Sequence, residues 1–139
     1  PAGRLELELT ENSIMQDPER AYEDLNKMKS LGTKISIDDF GTGYSSLLLL
    51  KKLPVDKLRI DSSFVREMSA GSKEMELVRA ILSIGRSMKA TVVAEGVETV
   101  SQYNFLRAEG CDEGQGYYFC HPLPPAEISD FLECQTIFS

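Results

Sequence analysis

Four carboxylates stand where alternating or apolar stretches run out: Glu8 within Leu5-Glu6-Leu7-Glu8-Leu9-Thr10, Asp38 and Asp39 after Ile35-Ser36-Ile37, and Glu95 after Thr91-Val92-Val93-Ala94. Taken singly, each is an ordinary solvated charge. Gathered at one rim they carry a formal charge of about −4 and raise one another's pKa, so they need compensation to stay ionised. Two divalent cations match that charge, and an all-oxygen ligand set suits Mg²⁺ or Mn²⁺. An anionic substrate would then meet this acidic chain through a metal bridge. The run Gly41-Thr42-Gly43 follows the central carboxylates and could let a substrate approach its backbone. No Walker or dinucleotide fingerprint is present. His121, the one histidine, precedes a proline-rich turn without a ligand partner nearby and reads as structural or surface.

The elements that must position these residues follow from periodicity. Leu5 to Thr10 alternates as a strand, and Ile35 to Asp38 forms the central one. Lys57-Leu58-Arg59-Ile60-Asp61 is the third, with Arg59 and Asp61 opposite Leu58 and Ile60. Thr91 to Ala94 is apolar enough to be covered on both faces, and Gly114 to Phe119 holds a short fifth strand. Between them lie helices. Asp17-Pro18 starts one that stops at Gly32, Ser45 to Lys52 is a short one, and Ser72 to Lys89 carries an apolar stripe. Thr99-Val100-Ser101-Gln102 is a capping box for a helix running to Gly110, and Pro124-Pro125 opens a last helix with Ile128, Phe131 and Leu132 inward. The Tyr117-Tyr118-Phe119 cluster reads as core packing. Strand starts at about 5, 34, 57, 91 and 115 fit βαβ units. Right-handed crossovers make the strands parallel and bring their C-terminal ends, with the carboxylates, to one rim.

Composition sets the broad class. The chain has 139 residues, 42% hydrophobic and 27% charged, enough for one domain with a real core. Its net charge of −7 argues against a nucleic-acid polymer as partner. Cys111, Cys120 and Cys134 are odd in number and lack CxxC spacing, so reduced thiols and a cytoplasmic location are expected, with a membrane-tethered parent left open. No apolar run has the ~20 residues of a membrane span. Pro1 stands where an initiator Met would, which suggests processing or an excerpt of something longer.

With those residues in hand, the chain resembles the EAL family of bacterial cyclic-di-GMP phosphodiesterases. The likeness is carried by Glu8-Leu9-Thr10-Glu11, by Ile37-Asp38-Asp39-Phe40-Gly41-Thr42-Gly43-Tyr44-Ser45-Ser46-Leu47, and by Ile60-Asp61 with Ser63-Phe64-Val65. Ala94-Glu95-Gly96-Val97-Glu98-Thr99 and Gly114-Gln115-Gly116-Tyr117 through Pro122 and Pro124 complete it. The resemblance implies an α/β fold, a TIM-like (β/α)8 barrel of which this chain holds about the last five β/α units. It implies metal-dependent opening of cyclic-di-GMP to linear pGpG with two Mg²⁺ or Mn²⁺ ions, and a homodimer in the complete domain. By that likeness Glu8, Asp38, Asp39 and Glu95 bind metal, Asp38 is shared between the ions, and Glu95 helps activate the attacking water. Glu11 braces the loop through Gly41, Thr42 and Gly43, Gln115 lines the mouth, and Glu98 belongs to the signature.

Two departures accompany the likeness. The family's EAL triplet and a downstream asparagine ligand lie upstream of anything in this sequence, so residues 1–139 are expected to be the C-terminal portion of a single EAL domain, and as a fragment inactive. Arg59 stands where the family usually carries a catalytic lysine. A planar guanidinium fork replaces a compact point charge there. The alternative reading is therefore a degenerate, catalytically inactive EAL domain that binds cyclic-di-GMP or a protein.

Overall fold

Alternation of apolar and polar residues becomes five strands of a single parallel sheet in a computed structural model that describes residues 1–43 and 46–134. The strands are β1 (Glu6–Thr10), β2 (Lys34–Phe40), β3 (Lys57–Ile60), β4 (Thr91–Glu95) and β5 (Glu113–Gln115). Their spatial order is their order in the chain, and every neighbouring pair is parallel. That is a singly wound α/β sheet. Ile35, Ile37, Leu58, Ile60, Val92 and Ala94 turn to one side and are fully or almost fully buried. Glu6, Glu8, Ser36, Asp38, Lys57, Arg59, Glu95, Glu113 and Gln115 alternate with them and turn to the other.

Helices cover the apolar side. Asp17 accepts the Arg20 N–H and caps α2 (Pro18–Ser30), whose first residue is the expected proline. Ser72 caps α5 (Lys73–Met88), whose Val78, Ile81, Leu82 and Gly85 are buried at helical spacing. The box at Thr99 and Gln102 is formed, and it opens α6 (Val100–Ala108). Gln102 also donates from Nε2 to the Val65 carbonyl at 3.1 Å, which ties the start of α6 to the end of α4 (Ser62–Arg66).

Several elements differ from expectation. Glu11–Gln16 forms a helix, α1, capped by Thr10, whose hydroxyl accepts the Ser13 N–H at 3.2 Å. α4 is likewise a short helix, capped by Asp61. At six and five residues these helices are too short to show a period. β2 continues past Asp38 to Phe40, and α3 (Leu47–Leu50) is shorter than the expected Ser45 to Lys52. Tyr44 and Ser45 lie outside the described residues, as does the side chain of Cys134. β5 ends at Gln115, so the aromatic cluster follows it as a turn. Tyr118 and Phe119 pack on Tyr103, whereas Tyr117 is exposed and stacks on His121 at 4.1 Å. In α7 (Pro125–Cys134), Ile128 is 42% and Leu132 60% exposed, against their expected inward placement. Among the described residues no helix is long and apolar enough to cross a membrane.

Candidate functional site

The rim is assembled around an irregularity in β2. Ile37 pairs with Leu58 and Phe40 with Ile60, so Asp38 and Asp39 together face the single residue Arg59. This is a β-bulge, two residues opposite one. Asp39 takes a left-handed backbone, φ 53°, and its N–H donates to Asp38 Oδ1 at 2.8 Å. The bulge lets adjacent carboxylates share one side of the sheet, which regular alternation forbids. Asp38, Asp39 and Glu95 each place a carboxylate oxygen within 4.8 Å of the others. Three carboxylates gathered so closely suit a hard divalent cation with oxygen ligands. Glu8 sits on the same side but outside this group; it is half exposed and pairs with Arg59.

Arg59 occupies the middle. Its Nε donates to Glu95 Oε1 at 2.7 Å, and Nη2 donates to the same oxygen and to Gln115 Oε1 at 3.0 Å. Nη1 donates to Glu8 Oε1 at 3.2 Å, and Nε lies 3.8 Å from Asp38 Oδ1. One side chain on β3 thus reaches β1, β2, β4 and β5. Two residues earlier, Lys57 lies 3.4 Å from both Glu6 and Glu113, a second tier of charge on the same face. That tier was not anticipated from the sequence, although the period-2 spacing of Lys57 and Arg59 signals it.

These contacts set the protonation balance. Burial pushes the Asp39 carboxyl above its ordinary value, and the charges of Asp38 and Asp61 add to it. Burial also raises Glu95; the Arg59 hydrogen bonds and charge oppose this, Asp38 and Asp39 reinforce it, and the net direction is upward. For Arg59, burial favours the neutral form, but its hydrogen bonds to Glu95 and the charges of Glu95, Glu8 and Asp38 outweigh that and hold the guanidinium charged.

The loop after β2 is clamped from below. Glu11, 2% exposed, accepts the Gly41 N–H at 2.9 Å and the Gly43 N–H at 3.2 Å through Oε2. Gly41 has φ 99°, and a Cβ there would lie 2.9 Å from Phe64, so conformation and space both require glycine. Thr42 is exposed, and its hydroxyl donates to the Asp39 carbonyl at 2.7 Å. Glu98 is exposed; the structure leaves it out of the carboxylate group and gives its N–H to Gln102 Oε1 at 2.8 Å.

Comparison with known proteins decides the family. Residues 1–122 match the family model of the EAL domain. The chain belongs to the EAL family. It is 45% identical over 128 residues to the cyclic di-GMP phosphodiesterase NbdA of Pseudomonas aeruginosa, covering 92% of this chain and 16% of that protein. The solved structure of the PaMucR phosphodiesterase in complex with c-di-GMP superposes with a TM-score of 0.88 at 42% identity, over 91% of this chain and 51% of that one. A manganese and cyclic-di-GMP complex of Klebsiella pneumoniae BlrP1 gives a TM-score of 0.79 at 31% identity, over 87% and 31%. This chain therefore spans about half of the PaMucR chain and a smaller share of the other two. The five-stranded α/β sheet is part of a TIM-barrel-like fold, as the likeness to EAL structures establishes.

Proposed function

We propose that residues 1–139 form the C-terminal portion of an EAL domain that hydrolyses cyclic-di-GMP to linear pGpG with two Mg²⁺ or Mn²⁺ ions. The observation that carries this reading is the convergence of Asp38, Asp39 and Glu95 through the β2 bulge. Those three residues would hold the ions, and Glu8, at the same rim, joins them once released from Arg59. What bound divalent ions supply is acidification of water and neutralisation of phosphodiester charge. Glu95, beside the carboxylates that would hold the ions, would take the proton of the attacking water. The water oxygen would bond to phosphorus as the bond to the 3′ oxygen breaks, and that oxygen would leave as a hydroxyl by taking up a proton from solvent, which leaves a 5′-phosphate and a 3′-hydroxyl. Gly41 and Thr42 are exposed and Gly43 is half-buried in the loop after β2, and Glu11 holds the two glycines. Gln115 would line the mouth, Glu98 belongs to the family signature, and a homodimer of the complete domain, acting in the cytoplasm, fits this assignment.

The test is chromatographic. The complete domain that contains this chain is incubated with cyclic-di-GMP and Mn²⁺ or Mg²⁺ and assayed for pGpG against a metal-free control, with the 139-residue chain alongside. Metal-dependent product is expected once the domain is complete. Absence of product from the complete domain, together with a positive binding titration, would leave the binding-module reading instead.

A further inference from the structure

Among the described residues, Arg59 is the cation at the rim that opposes a metal. It is only 15% exposed, and two of its nitrogens converge on the same Glu95 oxygen. A third holds Glu8, and Asp38 lies 3.8 Å away. Arginine forks of this kind satisfy carboxylates in a fixed plane, which a lysine cannot do from the same backbone position. The guanidinium therefore offers part of the compensation that the four carboxylates require, at the place where a divalent cation would offer the rest. A cation bound by Asp38, Asp39 and Glu95 would compete for the Glu95 oxygen and would feel the positive charge beside it.

We propose that Arg59 is a built-in counter-ion that a divalent cation must displace from Glu95, so that residue 59 sets the metal affinity of the site. The inference rests on the metal-site reading given above and concerns only this chain's own side chain. In the metal-free protein Arg59 closes the rim by linking β1, β4 and β5. On metal binding it gives up Glu95 and Glu8 and keeps Gln115, which leaves the fork facing the mouth. Arg59 is thus a positioning residue: it acts through Glu95.

Calorimetric titration of Mn²⁺ into the 139-residue chain tests this, with Arg59→Gln and Arg59→Lys beside the parent and melting temperatures taken in chelator. The expected result is a pair of opposite changes. Arg59→Gln binds Mn²⁺ at least about tenfold more tightly, while its metal-free melting temperature falls because the carboxylates lose their cation. Arg59→Lys changes both in the same directions by less, and it carries the test if the glutamine variant does not fold. A merely structural arginine would lose metal affinity and stability together. Unchanged or weaker Mn²⁺ binding in the variants, with the parent binding normally, overturns the counter-ion role and leaves the metal site standing. No Mn²⁺ binding by any of the three overturns both.

Discussion

Asp39 is held in a conformation that costs a side-chain-bearing residue about 1–3 kcal/mol, although Asp and Asn tolerate it best. Its carboxyl is also raised by burial and by Asp38 and Asp61. For an acid the sign is clear. A raised folded-state pKa means that folding disfavours the ionised form, so stability is lost as pH rises from the ordinary value through the folded one. Asp39→Asn keeps the backbone tolerance and removes the charge. Thermal denaturation at pH 7 in chelator should show a higher melting temperature than the parent, and the gap should close below about pH 4, where both states are protonated. The same variant should lose the rise in melting temperature that Mn²⁺ gives the parent. A destabilised metal-free variant would refute the charge argument.

At the scale of elements, α5 rests on β4 without a side chain between them at one point. A Cβ on Gly85 would lie 2.2 Å from Val92 Cγ2, and Val92 is 1% exposed with a stiff β-branched side chain. Gly85→Ala should cost about 1–3 kcal/mol in urea unfolding. Adding Val92→Ala should recover part of the loss, since the two positions share one space. The strands that flank this contact could be read in the sequence because a half-buried strand imposes period 2 and a covered one is apolar. The helices α2 and α6 could be read from their caps, and α5 from its apolar stripe. What escaped was local. The bulge was hidden because Asp38-Asp39 looks like the end of alternation rather than a change of register within it. Four carboxylates at one rim were foreseen from strand ends, yet which three close up depends on the bulge. The reach of Arg59 across the sheet has no signature in spacing.

For the whole molecule, Asp56 acts as a tie between layers. It binds Lys29 of α2 through both carboxylate oxygens and accepts the Ile35 N–H of β2 at 2.8 Å. Its carbonyl accepts the Thr91 N–H of β4 at 2.9 Å. Burial pushes its carboxyl up, but the Lys29 and Ile35 hydrogen bonds and the charges of Lys29 and Lys34 outweigh this and hold it below its ordinary value. A depressed acid contributes stability that is present above the unfolded pKa and lost as pH falls through the folded one. Asp56→Asn should therefore cost about 1–2 kcal/mol between pH 5 and 7. The difference from the parent should shrink below about pH 4 in a pH series of urea titrations. A difference that persists undiminished into acid would assign the loss to packing instead.

The bulge in β2 also bears on how such a site could arise by descent. With Asp39 removed, Ile37, Asp38 and Phe40 would follow ordinary alternation, and Phe40 would keep its place opposite Ile60 in the core. One inserted codon thus suffices to give a strand its second carboxylate at the rim without disturbing the residues packed beneath. A lineage could gain or shed half of the β2 contribution to the carboxylate group in a single step while its fold stayed intact, so the charge of this rim can change by a whole unit without touching the core.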